Sequence, residues 1–255
     1  MPAEVHVFRC LDDNVGVLIH DPSTGACAAV DAPEEAAVEA ALKQKGWRLT
    51  DILVTHRHGD HVQGIPGLKR RTGCRVVAPI KAREAVPDAD AFVREGDTVH
   101  VGSLQAHVWE TPGHCADHVS YWFADDKVLL AGDTLFTLGC GRVMESPMSE
   151  MWASLQRLAA TPPDTRVYSG HDYVRSNARF ALAADPDNAA LKRRAEEAEV
   201  AAREGRFLIP STMRVEKATN PFLRAGEPAL AQSVGLAGQD ASAVFAALRE
   251  WKNRF

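Results

Sequence analysis

The feature that most restricts this chain is a seven-residue run, T-H-R-H-G-D-H at positions 55–61, which holds three imidazoles and one carboxylate. His56 and His58 are two residues apart, so an extended backbone directs both side chains to the same side. Gly59 permits the turn that brings Asp60 and His61 to the same place. Imidazole and carboxylate ligands together suit Zn, Fe or Mn. The run predicts a metal site, with a polar surface loop as the alternative.

Three further candidate ligands follow strand-like runs that end in a glycine or a tight turn. They are His114 after Ala106–Glu110, Asp133 after Val128–Ala131, and His171 after Arg166–Ser169. The 55–61 run itself follows Ile52–Thr55. Each of these residues alone would more often be structural, but four strands with ligands at their C-terminal ends favour a metal centre. His118 is a candidate for orienting a ligand, whereas the other histidines lack this setting.

Apolar runs bounded by turn residues predict eight strands, at Val15–Ile19, Ala28–Val30, Ile52–Thr55, Val76–Ala78, Ala106–Glu110, Val119–Phe123, Val128–Ala131 and Arg166–Ser169. Two helices interrupt them, one from near Pro33 to near Gly46 and one over about residues 149–160. After Tyr173, segments rich in Ala, Glu and Arg predict helices at 176–184, 188–204 and 240–252. We therefore predict a catalytic α/β domain over residues 1–173 and a helical substrate-binding domain over residues 174–255.

Composition and charge restrict the class of protein. The chain has 255 residues and a formal net charge of −5. An acidic chain is a poor candidate for nucleic-acid binding, which depends on clustered Lys and Arg. Five cysteines without a CxxC pattern argue against a disulfide framework and favour a reducing cytoplasm. We expect a cytoplasmic monomer with no signal peptide, no membrane span and no nucleic-acid partner.

Four segments together resemble the metallo-β-lactamase superfamily, in the order and spacing of its glyoxalase II family: Thr55–His61, Thr111–His114, Gly132–Phe136 and Gly170–Tyr173. The resemblance implies an α+β fold, with an αββα sandwich followed by a smaller all-helical C-terminal domain. It also implies two divalent metal ions, zinc in the first place, with iron or manganese as alternatives. One ion would be held by His56, His58 and His114, the other by Asp60, His61 and His171, with Asp133 bridging.

The implied activity is hydrolysis of the thioester of S-(2-hydroxyacyl)glutathione, in which S-D-lactoylglutathione gives D-lactate and glutathione. In the family this is the second step of methylglyoxal detoxification. A metal-bridging hydroxide would attack the carbonyl carbon, because metals lower the pKa of bound water, and a metal would stabilise the oxyanion. The resemblance gives catalytic roles to the bridging Asp133 and to Asp60, which would also hold the hydroxide by a hydrogen bond.

Residues near the C-terminus extend the resemblance to glutathione binding. The run Asn220–Arg224 resembles a characteristic stretch of the family's helical domain, and Arg249 and Lys252 match its R-x-x-K, whose cations bind the glycine carboxylate. At i and i+3 on a helix the two share one face, although a solvated basic helix end has the same spacing. Arg142, in C-G-R, and Tyr173 match two further contacts to glutathione.

Three positions depart from the family pattern. Arg57 replaces a His often seen there, at a position that is not a ligand, and Cys115 stands where Thr is usual. Met144 stands two residues after Arg142, where the family commonly has Tyr. We expect the loss of that Tyr hydroxyl to weaken glutathione binding, unless Met144 is core filler.

Three alternatives stay open. A lactonase or β-lactamase of the same fold is less favoured, because many metallo-β-lactamases have Cys at the Asp133 position and lack the helical domain. A persulfide dioxygenase on this scaffold also uses glutathione, but it binds one iron through two His and one Asp and lacks the long helical extension. A metal-binding or nucleic-acid-processing module without thioesterase activity conflicts with the acidic charge.

Overall fold

Contacts within the computed structural model, which describes all 255 residues, group the chain into two units. The N-terminal unit comprises Met1–Glu110 with Asp117–Gly132, and the C-terminal unit comprises Thr111–Ala116 with Asp133–Phe255. This grouping follows contacts, whereas the predicted boundary near residue 173 follows a change in sequence character. The domain limits 1–173 and 174–255 therefore stay a prediction.

The first sheet of the N-terminal unit has six strands, in the order β1 (Glu4–Cys10), β2 (Asn14–His20), β3 (Cys27–Val30), β4 (Asp51–Leu53), β5 (Arg75–Pro79) and β6 (Ala91–Val93). Strands β1 to β3 pair antiparallel and β3 to β6 pair parallel. Helices α1 (Glu35–Lys45), α2 (Gly59–Val62) and α3 (Ile65–Thr72) follow β3 and β4. Apolar side chains of α1 and α3 share a buried core with this sheet, since each helix has one apolar face.

The second sheet of this unit is an antiparallel meander of β7 (Thr98–Val101), β8 (Leu104–Glu110), β9 (Val119–Phe123) and β10 (Val128–Gly132). In β8 the buried Leu104, Ala106 and Val108 alternate with exposed residues, as expected for a strand with one face on the core. The Tyr121 hydroxyl of β9 donates to the Val54 carbonyl at 2.7 Å. The backbone just after β4, where the 55–61 run begins, is thereby held by the second sheet.

The C-terminal unit contains two small strand pairs and six helices. Strands β11 (Leu135–Phe136) and β12 (Gly139–Cys140) form a hairpin, and β13 (Arg166–Ser169) pairs antiparallel with β14 (Ser211–Thr212). The helices are α4 (Met148–Ala159), α5 (Val174–Ala184), α6 (Ala189–Arg203), α7 (Met213–Thr219), α8 (Pro228–Ser233) and α9 (Ala241–Arg254). Small apolar residues of α5 and α6 form one core, and aromatic rings join α4 to α9.

The secondary structure confirms the five predicted helices, which are α1, α4, α5, α6 and α9, and all eight predicted strands. The mixed content agrees with the predicted α+β class. Six strands, β1, β6, β7, β11, β12 and β14, and four helices, α2, α3, α7 and α8, were not predicted. All ten of these elements have eight residues or fewer, which is too few to show a clear apolar period, and β1 is also partly exposed and contains polar residues. None of the nine helices has the length and apolar character that crossing a bilayer requires.

Candidate metal and substrate-binding residues

The 55–61 run forms the loop between β4 and α2 in the N-terminal unit. His56 and His58 lie in the non-helical part of the loop, and Asp60 and His61 lie in α2. Nε2 of His56 and Nδ1 of His58 are 3.0 Å apart, and Nε2 of His61 is 3.7 Å from Oδ2 of Asp60. The rings of His56 and His61 are buried, with centroids 4.0 Å apart. The loop therefore brings its four predicted ligands together.

Asp31, at the end of β3, is a site residue that the sequence analysis missed. Its Oδ1 accepts a hydrogen bond from the Thr55 amide at 2.7 Å, and its Oδ2 accepts one from the Thr55 hydroxyl at 2.8 Å. The same Oδ2 lies 2.8 Å from Nδ1 of His61. Both carboxylate oxygens are thus engaged by protein groups, so Asp31 orients the loop and the His61 ring. Asp31 also forms a group with His56 and His61 whose possible ligand atoms lie within 4.8 Å of one another. Its position, one residue after a buried strand, is the signal that also marks the predicted ligands.

Three further side chains of the N-terminal unit brace this loop. Asp117 accepts a hydrogen bond from the Arg57 amide at 2.9 Å and forms an ion pair with its guanidinium. The amide of Asn14 donates to the Asp60 carbonyl at 3.1 Å and to its carboxylate at 3.2 Å. The buried His118 ring stacks on His56 at a centroid distance of 5.1 Å. Arg57, which stands where the family often has His, therefore stabilises the loop through its contacts with Asp117.

The C-terminal unit brings the other three predicted ligands together. Oδ2 of Asp133 lies 3.5 Å from Nε2 of His114 and 3.4 Å from Nε2 of His171. All three side chains are buried. Nδ1 of His114 lies 2.9 Å from the Arg142 carbonyl, to which it donates when it carries a hydrogen. A side chain at Gly141 would collide with the Asp133 carbonyl, which explains the glycine between Cys140 and Arg142.

The geometry of these donors fits a divalent transition metal. Zinc bonds to nitrogen and oxygen are about 2.0–2.2 Å long, which puts two ligand atoms of one tetrahedral ion about 3.3–3.6 Å apart. The two separations from Asp133, 3.5 and 3.4 Å, lie in this range. The ring nitrogens of His56 and His58 are closer than this range, at 3.0 Å, which is the distance expected for a hydrogen bond between them. A set of imidazole and carboxylate donors without thiolate suits Zn, Fe or Mn.

A cavity of about 410 Å³ in the C-terminal unit contains all four predicted substrate contacts. Its lining includes Arg142, Tyr173, Arg249 and Lys252 together with the predicted ligands His114 and Asp133. The Tyr173 ring stacks on His171 at a centroid distance of 4.9 Å, which fixes its place beside the ligands. Met144 also lines the cavity and is 52% exposed, so it is not core filler.

The two cations of α9 have different surroundings. Arg249 is buried, donates from Nη1 to the Cys140 carbonyl at 2.8 Å and lies over the Phe222 ring. Its Nε has no hydrogen-bond partner in the protein. Lys252 is half-buried and donates to the Ser176 carbonyl at 3.1 Å. Burial lowers the pKa of the Lys252 ammonium, and the charge of Arg249 lowers it further. Arg249 therefore has a structural contact as well as a free donor.

Comparison with known proteins agrees with this arrangement. Residues 16–171 match the family model described as "Metallo-beta-lactamase superfamily", and residues 172–255 match the one described as "Hydroxyacylglutathione hydrolase C-terminus". A hydroxyacylglutathione hydrolase of Methylobacterium nodulans is 70% identical over 253 residues, and one of Rhodopseudomonas palustris (strain HaA2) is 54% identical over 253, each covering 99% of both chains. The crystal structure of ETHE1 from Myxococcus xanthus superposes with a TM-score of 0.67 at 26% identity, covering 99% of this chain and 98% of its own.

Proposed function

We propose that this chain, which belongs to the hydroxyacylglutathione hydrolase family of the metallo-beta-lactamase superfamily, hydrolyses the thioester of S-(2-hydroxyacyl)glutathione. Water adds to the acyl carbon and the carbon–sulfur bond breaks, so S-D-lactoylglutathione gives D-lactate and glutathione. The observation that carries the proposal is the cavity in which predicted metal ligands and predicted glutathione contacts occur together. The persulfide dioxygenase and lactonase alternatives are not favoured, because relatives at 54–70% identity over the whole chain carry the hydrolase name.

The His and Asp clusters indicate divalent metal binding, and we propose two ions, with zinc preferred over iron or manganese. The proposed ligands are His56, His58 and His114 for one ion and Asp60, His61 and His171 for the other, with Asp133 shared. The donor separations within each unit support this assignment. Bound divalent metals lower the pKa of water towards neutrality and polarise a carbonyl oxygen.

The chain's own residues then hold the reacting groups. We propose that Asp60 accepts a hydrogen bond from the attacking water. Asn14 supports this role, because its amide donates to both the backbone and the carboxylate of Asp60 and so limits the rotation of that side chain. The thiolate of glutathione is a good leaving group, so no separate general acid is assigned. Orientation of a reactant by fixed groups is itself a large part of catalysis.

The opposite end of the substrate has a separate set of proposed contacts. Arg249 and Lys252 bind the glycine carboxylate, and the unpartnered Nε of Arg249 supports this, since a buried donor without an acceptor favours an incoming anion. Arg142 and Tyr173 contact the rest of the glutathione moiety and line the same cavity. A monomer in the cytoplasm stays our prediction. The five cysteines are all free, which suits a reducing compartment.

A hydrolysis assay with S-D-lactoylglutathione, run beside elemental analysis of the purified protein, tests the proposal. We expect hydrolysis with two metals per chain. Asp133→Ala should lower the rate at least about a hundredfold, because metal ligation generates the nucleophile. Absence of hydrolysis by metal-loaded wild-type protein would refute the proposed function. Full activity with a single metal would instead refute only the two-metal assignment.

A further inference from the structure

Five consecutive residues of the C-terminal unit, Phe136 to Cys140, have backbone groups bound by buried side chains from the helical part. The Asn220 amide donates to the Phe136 carbonyl at 3.2 Å and to the Gly139 carbonyl at 2.9 Å. Asn177 donates to the Thr137 carbonyl at 3.1 Å, the Glu216 carboxylate accepts from the Leu138 amide at 2.8 Å, and Arg249 donates to the Cys140 carbonyl at 2.8 Å. We call residues 136–140 the wall segment, because Phe136 and Cys140 line the cavity.

The wall segment contains a strained residue that these contacts stabilise. Leu138 has a φ of 59°, a strained conformation that non-glycine residues rarely adopt. Its side chain is fully buried and its amide is bound by Glu216. A strained backbone conformation persists only where many surrounding contacts hold it in place, and such conformations occur often at functional sites. The contacts from the helices therefore hold a backbone shape that the segment would not keep by itself.

Two of the side chains that bind the wall segment do not line the cavity. Glu216 and Asn220 are both fully buried and are not among the residues that line it. The Asn220 amide also donates to the Glu216 carboxylate at 3.0 Å, so the two side chains form a hydrogen-bonded pair. Burial raises the pKa of Glu216, and its three hydrogen-bond donors act in the opposite direction. Both side chains bind the wall segment, and Asn220 also accepts a hydrogen bond from the Phe222 amide, whose ring lies under Arg249.

We propose that Glu216 and Asn220 are positioning residues for glutathione, which hold the wall segment so that Arg142 and Arg249 keep their places around the cavity. The inference rests on the proposed function. Arg249 depends on the segment directly, since its guanidinium is fixed by the Cys140 carbonyl, and Arg142 follows two residues after Cys140. The two residues thus determine affinity for the glutathione moiety without contacting it.

The test measures the Kd of S-methylglutathione, a thioether that cannot be hydrolysed, by calorimetry, and KM and kcat for S-D-lactoylglutathione. Asn220→Ala removes both donors to the wall segment. We expect Kd and KM to rise roughly three- to tenfold with kcat changed less than about threefold, as for a loss of uniform binding. Glu216→Ala should behave alike, and Glu216→Gln, which keeps an acceptor for the Leu138 amide, should restore the wild-type Kd.

Asn188→Ala is the matched control, because Asn188 caps α6 and its side chain binds Asp185 and the Ala218 carbonyl but none of residues 136–140. It should lower Tm and leave Kd unchanged. If Asn220→Ala or Glu216→Ala also lowers Tm with a wild-type Kd, the proposal is overturned. If Asn220→Ala does not fold, Gly139→Ala replaces it, since a methyl there collides with the Asn177 amide. A wild-type Kd in Gly139→Ala would then overturn the proposal. Wild-type protein that neither binds nor hydrolyses would instead overturn the proposed function.

Discussion

Three predicted metal ligands have their Nδ1 atoms close to neighbouring protein groups. Nδ1 of His56 lies 3.0 Å from the Thr55 hydroxyl, Nδ1 of His61 lies 2.8 Å from Asp31, and Nδ1 of His114 lies 2.9 Å from the Arg142 carbonyl. A contact at Nδ1 fixes the ring orientation and leaves Nε2 as the donor atom for a metal. The rings are therefore oriented for binding before an ion arrives, and the groups that orient them should matter for metal affinity.

Asp31→Ala should weaken metal binding, because the His61 ring and the Thr55 amide both lose their acceptor. Loss of such an orienting partner lowers metal affinity about 10- to 100-fold. Competition with a chromophoric chelator measures the affinity of the purified variant. Asp21→Ala is the control, since Asp21 is equally buried and accepts hydrogen bonds from Ser23, Thr24 and Ser103 without contacting a predicted ligand. Equal metal loss in both variants would contradict the orienting role of Asp31.

Met144→Tyr should lower KM for the lactoyl thioester about three- to tenfold, because the new hydroxyl adds one hydrogen bond to a remote part of the substrate. The kcat should stay nearly unchanged, since the contact gives uniform binding. At 52% exposure the side chain has room to grow, so Tm should not fall. Steady-state kinetics and a melting curve check this, with the exposed Val200→Tyr as control. A KM equal to that of wild type would contradict the prediction.

The sequence shows ligands more readily than the residues that orient them. His56, His58 and His61 stand out because three imidazoles in one short run are rare, and a family resemblance gives each a role. Asp31, Glu216 and Asn220 act by accepting or donating to backbone groups 24 to 84 residues away along the chain. No local pattern encodes such a contact, because it depends on the tertiary structure. The resemblance of Asn220–Arg224 to the family's helical domain indicated that this run matters, but it did not indicate that Asn220 binds the wall segment.

At the level of elements, prediction succeeded where one element carries its own pattern. Helices such as α6 and α9 are long enough to repeat an apolar face, and strands such as β9 and β10 are continuous buried runs. Helices α2 and α7 have four and seven residues, too few to show a period or to be stable alone. Their form depends on tertiary contacts, as for Glu216 of α7 with the wall segment.

Helix α9 places Lys252 beside the cavity with a lowered pKa, which predicts a pH dependence of glutathione binding. The protonated ammonium attracts the glycine carboxylate. Burial and the charge of Arg249 lower the pKa from 10.5, so the proton is lost at a lower pH than for an ordinary Lys. KM should therefore rise with pH in the alkaline range below about 10.5. The measurement is the KM ratio between Lys252→Met and wild type across this range.

Ionisation of the substrate affects KM of both proteins equally, because both bind the same thioester, and this effect therefore cancels in the ratio. The ratio should be well above one near neutral pH and should fall towards one as Lys252 loses its proton. A ratio that is constant with pH would show that the Lys252 charge does not bind the substrate.

At the level of the whole molecule, the proposed ligands come from positions 56 to 171, so metal binding constrains segments that are far apart in the sequence. An ion that binds only the folded state adds RT ln(1 + [L]/Kd) to the free energy of unfolding, about 4 kcal/mol at a thousandfold excess over Kd. In a chain of this size each kcal/mol corresponds to about 2–4 °C in Tm. Stability should therefore depend on the metals as strongly as activity does.

Removal of the metals with a chelator should lower Tm by roughly 8–16 °C, and restoring zinc should reverse the change. Asp133→Ala, which lacks the proposed shared ligand, should begin with a lower Tm and respond much less to the chelator.

His107→Ala is the matched control, because His107 is an exposed histidine that is not a predicted ligand, and its response should equal that of wild type. Scanning calorimetry on the three proteins, with metal content determined before and after treatment, decides the matter. An equal chelator response in all three would show that the ions bind elsewhere, and no response in wild type would show that metal binding is not coupled to folding.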